Sequence, residues 1–282
     1  MFASPIAAGV FMIIGAMNNP RNNLTSEIEL FGEMGFDYVE VTVEAPAAHP
    51  QKIIDNKKHI VDALHSYNFG VLSHFPWYFS IAHPYPYIQK AINHEFVKAF
   101  DAASLLGAKK ATIHPEFLPP GLQERPVRIA KIVETLKYLN KEANERGLEL
   151  LLENFSNSAW FSIKDFKQVF SEVGIGMAFD IGHAAIKDAE GIDEHVQKLK
   201  KKIKHVHLHD NNKREDQHLP LGAGRINIPK AVRMLKSFYD GTITLEVHSE
   251  DRDYLKLSKD KLEILWFGKK RFEQDKGYIF PK

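Results

Sequence analysis

The sequence predicts a closed (β/α)8 barrel, and three observations carry that reading. Short segments suited to strands alternate with longer segments of helical periodicity along the chain. Eight strand segments occur, each followed by a helical one, which favours closure into a ring over an open sheet. No stretch rich in Pro, Gly or Ser divides the series, so residues 1–282 read as one domain of ordinary length for this architecture.

The first strand is the apolar run Val10–Ala16, continuous as a parallel strand covered on both faces requires. The residues before it lack a basic segment and carry Pro5 and Gly9, so they read as a disordered lead-in rather than a signal peptide. After the polar loop NNPRNN a helix runs from Leu24 to about Met34, capped near Thr25 or Ser26 and stopped by Gly35. Asp37–Glu44 alternates as a second strand, and a helix from Gln51 to Tyr67 follows. Gly70–Pro76 is the third strand. An aromatic loop then leads to a helix over Ile88–Leu106. Lys109–Pro115 is the fourth strand, and a long helix spans 122–146. Leu148–Phe155 is the fifth strand, and a helix over Ile163–Glu172 separates it from the sixth, Ile175–His183. A lysine-rich helix to about Lys202 leads to the seventh strand, Lys204–Asn211. Ile228–Phe238 is helical, Gly241–His248 is the eighth strand, and a last helix runs from Asp251 to Phe267.

The formal net charge of +1 does not suggest a strongly basic nucleic-acid binder. The lysine clusters Lys198–Lys204 and Lys269–Arg271 read as solvated helix faces. The chain has no cysteine, so disulfides and thiolate ligands are impossible, and a reducing cytoplasm fits. No apolar run reaches the length of a membrane span.

Chemistry concentrates in KHVHLHDN, where His205, His207 and His209 alternate with apolar residues and so project to one side of a strand. His74, His114, Glu153, Asp180, His183, His207 and Glu246 all fall at or just past the C-terminal ends of strands three to eight. In a (β/α)8 barrel those ends converge on one mouth, where active sites lie. Asp216 and His218 stand two apart in the loop after strand seven. Imidazole and carboxylate donors in such number suit a divalent metal, zinc or manganese, and a cluster of two or three ions rather than one. Asn154 and Asp210 are placed to orient ligands by hydrogen bonds, and His209 and His248 to act as outer contacts or substrate contacts. His205 reads as a deeper, packed histidine, and Glu40, Thr42 and Glu44 as rim or solvated residues. His49, His59, His65 and His195 read as surface residues.

The segments HFPWYFSIAHP, IHPE, LLENF, FDIGHA, VHLHDN, DQHLPLGAG and TLEVH together resemble the xylose-isomerase-like TIM barrels, especially their endonuclease IV (apurinic-site endonuclease) branch. The resemblance implies three zinc ions. One takes His74 and His114, with Glu153 bridging to a second that also takes Asp180, His207 and Glu246. His183, Asp216 and His218 hold the third. It implies hydrolysis of DNA at abasic sites by a metal-bridged hydroxide near Glu153. The chain departs from that branch in NNPRNN and EAPAAHP, which replace its DNA-reading loops, in Trp77, where tyrosine is usual, and in Ala223. The same framework resembles the sugar and sugar-phosphate isomerases and epimerases of the superfamily. There one metal sits on the positions of Glu153, Asp180, His207 and Glu246, and the two glutamates act as acid and base. The ligand count favours the zinc phosphodiesterase. The sugar isomerase or epimerase is the alternative, and a non-catalytic barrel with a structural metal ranks below both.

Overall fold

The computed structural model describes residues 12–115 and 121–271. The expected lead-in and the start of the first expected strand lie outside them. Eight parallel strands close into a barrel in sequence order: β1 (Ile13–Met17), β2 (Tyr38–Thr42), β3 (Gly70–His74), β4 (Lys110–Ile113), β5 (Glu149–Glu153), β6 (Gly176–Asp180), β7 (Ile203–Leu208) and β8 (Thr242–Leu245). The ring is sealed where β1 pairs with β8, from Ile13 opposite Thr242 to Ala16 opposite Leu245. Around it lie α1 (Leu24–Glu33), α2 (Pro50–Asp55), α3 (Lys57–Ser66), α4 (Pro86–Leu105), α5 (Arg125–Glu145), α6 (Ile163–Val173), α7 (Ile181–Ala185), α8 (Ile192–Leu199), α9 (Ile228–Lys236) and α10 (Asp253–Phe267). Among the described residues, no helix is long and apolar enough to cross a membrane.

Helix α6 shows how sequence sets these boundaries. Ser162 and Asp165 form a reciprocal capping box at its start. Ile163, Phe166, Val169 and Phe170 make one buried stripe against the sheet. Gly174, at φ 75°, ends it in the left-handed conformation that glycine adopts without steric cost.

Four expectations are corrected by side-chain interactions that periodicity does not reveal. The helix expected over 51–67 is two helices, broken at Asn56, whose Nδ2 donates to the Lys52 carbonyl at 2.8 Å. Asn23, not Thr25 or Ser26, caps α1 by accepting from the Ser26 amide. His195 is buried rather than superficial, stacked on Phe179 with Nδ1 2.8 Å from the Gly191 carbonyl oxygen. Arg271 is not solvated, because it reaches under the barrel to ion-pair with Asp37 at 2.7 Å and Glu263 at 3.2 Å.

The barrel interior is unusually polar for this architecture, whose lumen is ordinarily filled by branched apolar residues. Tyr38, Glu40, His205, His207, Thr242 and Thr244 are all buried. Tyr38 fits because β1 offers Gly15 opposite it: a Cβ there would stand 2.3 Å from the tyrosine ring. The ring is held in place by its hydroxyl, 2.7 Å from Thr244 Oγ1. We therefore expect Gly15→Ala to lower stability by about 1–3 kcal/mol in a denaturation experiment, as overpacking does. An unchanged unfolding midpoint would contradict this packing.

Candidate metal centre

Each strand end delivers its side chain to the same mouth. His74 ends β3, His114 follows β4, Glu153 ends β5, Asp180 ends β6, His207 lies on β7, and Glu246 follows β8. The sixth strand stops at Asp180 because its Oδ1 accepts from the His183 amide at 2.7 Å and starts α7. His183 is thereby turned inward from the first turn of a helix rather than from a strand.

Glu153 stands at the middle. Nε2 of His74 and Nε2 of His114 each lie 3.2 Å from its Oε2. Nδ1 of His207 and Nδ1 of His183 lie 3.1 and 3.3 Å from its Oε1. Glu246 joins through Oε1, 3.0 Å from the same His207 Nδ1. A second group forms around Asp216, which lies 2.9 Å from His183 Nε2, 3.3 Å from His218 Nε2 and 3.5 Å from His209 Nε2. His183 faces both groups, one with each ring nitrogen. The rings of His209, His218 and His248 stack in a column, with centroids 4.0 and 4.2 Å apart.

All nine expected ligand positions thus converge: His74 and His114 both meet Glu153, and His183, Asp216 and His218 share a group that His209 joins. His74, Glu153, His207 and Glu246 bring donor atoms within 4.8 Å of one another, and so do His183, His209, Asp216 and His218. Asp180 lies between the groups, near Glu153 with His183 and near His209 with Glu246. Asn154 fixes it, donating from Nδ2 to the Asp180 carbonyl and accepting from the Asp180 amide, each at 2.8 Å. Asp210 meets a candidate ligand only through its backbone, the carbonyl oxygen lying 3.3 Å from His209 Nδ1. Its carboxylate accepts from the amides of Asn211, Gly222, Gly224 and Ile226, and so shapes the loop that follows Asp216 and His218.

Burial opposes ionisation of these carboxyls, and the imidazoles overcome it. Glu153 is held well below the usual range by His114 and His207, and Glu246 at about 2, chiefly by His207. The converse holds for His207, raised by Glu246, Glu40 and Glu153, and for His183, raised by Asp180 and Asp216. Against its burial, Asp216 lifts His218 to about 9. Burial lowers His114 and His248 to about 4, leaving both neutral at pH 7.

The donor set fits a divalent cation. It is imidazole and carboxylate throughout, as zinc or manganese accepts. Asp180 Oδ2 and His209 Nε2 are buried beside the groups with no hydrogen-bond partner, which a cation would supply. Over the centre opens a cavity of about 650 Å³ walled by Trp77, Phe155, Arg21, Glu44, Thr42 and His248. Its floor includes Asn18, with Nδ2 buried and unpaired. Sequence reasoning missed Asn18, Arg21 and Phe155, although each lies in the loop that follows a strand end, which was the available signal.

A cation entering the Asp216 group must displace the proton of His218. In the metal-free protein that proton contributes stability fully below the unfolded histidine value of about 6.5, and the contribution is lost as pH rises through about 9. Apparent zinc affinity should therefore rise at least tenfold per pH unit up to about 9, since His183 must give up a proton as well, with proton release on binding. Titration with Zn²⁺ from pH 6 to 9 in weak buffer checks it, and a flat profile contradicts it.

A family model described as the xylose isomerase-like TIM barrel matches residues 28–267. The uncharacterized protein MJ1311 of Methanocaldococcus jannaschii is 29% identical over 262 residues, covering 86% of each chain. The solved structure of a D-tagatose 3-epimerase-like protein matches with a TM-score of 0.79 at 27% identity, covering 90% of this chain and 97% of that one. 3-Keto-D-glucoside 4-epimerase, YcjR, from E. coli matches with a TM-score of 0.71 at 17% identity, over 88% of this chain and 99% of that one, a likeness of fold alone. By the extent of the family match, the chain belongs to the xylose isomerase-like TIM-barrel family.

Proposed function

We propose that this protein is a divalent-metal-dependent isomerase or epimerase of small sugars, acting in the cavity above Glu153. The observation that carries the reading is the cavity itself. It is of a size for a small ligand, its floor is a pair of glutamates sharing one histidine, and Arg21 is the one Lys or Arg among its described lining residues. A duplex-binding mouth needs many cationic contacts to phosphate. The preference for abasic DNA drawn from the ligand count therefore gives way to the sugar reading. The likeness to a D-tagatose 3-epimerase-like protein supports the same choice.

Glu153, His207 and Glu246, with His74 or Asp180, would hold the cation. When bound, it supplies Lewis acidity to a carbonyl or hydroxyl oxygen. Glu153 and Glu246 come from β5 and β8, and both line the cavity as ionised carboxylates. Each is a base able to take a proton from the carbon beside a sugar carbonyl and return it. Trp77 and Phe155 offer flat apolar faces to the carbon side of a sugar. Neutral His248 and the amide of Asn18 are positioned to hold its hydroxyls.

Metal-loaded protein incubated in D2O with a panel of ketoses and ketose phosphates should place deuterium on the carbon beside the carbonyl of at least one of them. Glu153→Gln and Glu246→Gln should each lower that rate about 10²–10⁴-fold, the range for a lost acid–base group. No exchange with any sugar, together with cleavage of an abasic duplex, would restore the phosphodiesterase. We assign a second cation to His183, His209, Asp216 and His218. His218→Ala should therefore lose one bound ion per chain by elemental analysis while the Glu153 centre keeps its own. Loss of none contradicts the second site.

A further inference from the structure

Glu40 lies on β2, below the metal centre, with no exposed surface. Strands β2 and β7 are not neighbours, so its contacts with β7 cross the barrel lumen. Its Oε1 is 3.2 Å from Nε2 of His207, and its Oε2 is 2.8 Å from Nε2 of His205. Thr244 Oγ1 donates to the same Oε2 at 2.5 Å. The Tyr38 hydroxyl lies 2.7 Å from Thr244 Oγ1, and Thr242 Oγ1 lies 2.7 Å from His205 Nδ1. An apolar side chain at position 40 would fill the lumen at lower cost than a buried carboxylate. The charge therefore calls for a reason beyond packing.

One placement of hydrogens satisfies the contacts around Glu40. Thr244 spends its hydrogen on Glu40, so Tyr38 donates to Thr244. A carboxylate only accepts, so both His205 and His207 carry hydrogen on Nε2. Thr242 then donates to the free Nδ1 of His205. Nδ1 of His207 points between Glu153 Oε1 at 3.1 Å and Glu246 Oε1 at 3.0 Å, where it carries a second hydrogen in the absence of a cation and offers a lone pair once that hydrogen is given up.

We propose that Glu40 is a positioning residue for the metal centre, fixing the ring orientation and tautomer of His207 so that Nδ1 faces a cation held with Glu153 and Glu246. A carboxylate on the far nitrogen of a ligating imidazole sets its orientation and raises its basicity as a donor. The inference rests on the reading of that centre as a cation site, but the ring itself can be observed without metal. Thr244, Tyr38, His205 and Thr242 hold Glu40 in turn, which gives the buried polar layer a purpose at the site above it.

The test compares wild type, Glu40→Gln and Thr244→Val, each stripped with chelator and checked for cooperative unfolding. Imidazole ¹⁵N spectra, with His207 assigned through His207→Gln, report which nitrogen carries hydrogen. Competition titration with Zn²⁺ reports affinity at the centre, and the Asp216 group serves as an internal control. Stripped wild type should show His207 with hydrogen on both nitrogens, and only that on Nε2 should remain when Zn²⁺ is bound. Glu40→Gln, which can turn its amide NH2 toward the ring, should lose that preference and bind Zn²⁺ about 10–100-fold more weakly at this centre alone. Thr244→Val should shift both readouts the same way by less. A folded Glu40→Gln with unchanged ring spectra and affinity overturns the proposal. If Glu40→Gln does not fold, unchanged readouts in Thr244→Val overturn it. Wild-type protein that takes no cation at His207 instead overturns the reading of the centre, and its titration shows that before any variant is made.

Discussion

Glu153 is brought to the barrel axis by the end of β5 and left almost without exposed surface. An isolated carboxylate in that position would carry a desolvation penalty of several kcal/mol. The fold meets the penalty by aiming His74, His114, His183 and His207 at its two oxygens from four other elements. Much of the remaining site follows from that arrangement. Two of those imidazoles take a second partner with the other nitrogen, so charge compensation spreads outward, while Nδ1 of His74 and of His114 are buried without a hydrogen-bond partner. His183 turns its second nitrogen to Asp216, and His207 turns its own to Glu40.

The result is a polar column along the barrel axis. At its base Thr242, His205, Glu40 and Thr244 form a closed set of hydrogen bonds, and at its top Glu153 and Glu246 meet the cavity. Between them His207 has contacts with both levels, which makes β7 the strand on which the two depend. The cavity adds aromatic walls and, among its described lining residues, Arg21 as its one Lys or Arg, and this contrast between a charged floor and mild walls supports the proposal of a small polyol over a phosphate backbone.

The barrel was legible because its signals are local. Strand and helix periodicities, and the glycines after several helices, can be read residue by residue, and closure then places every strand end on one rim. That is why nine ligand positions could be expected before any distance was known. The resemblance already put His74 with Glu153 and His183 with Asp216; what it did not give is His209 beside Asp216, or His74 within reach of His207 and Glu246, because these depend on separations across the ring. Glu40, expected at the rim or in solvent, is fully buried in the lumen, and it was misplaced for a related reason. The alternation in VEVTVE looks the same whether one face meets water or the lumen. Asp210, expected to orient ligands through its side chain, spends its carboxylate on four amides instead, those of its neighbour Asn211 and of Gly222, Gly224 and Ile226 in the turn that follows. His195 misled because α8 turns it, with Val196 and Leu199, toward the barrel.

The central claim, a cation held by Glu153, His207 and Glu246 at the foot of a sugar-sized cavity, is most directly tested by anomalous diffraction. Crystals of the protein grown with Zn²⁺ or Mn²⁺ would be measured on both sides of the metal's absorption edge. The account predicts an anomalous peak bonded to Glu153, His207 through Nδ1, and Glu246. Well-ordered crystals with anomalous peaks only on the surface, or with His207 presenting Nε2 to the ion, would contradict it.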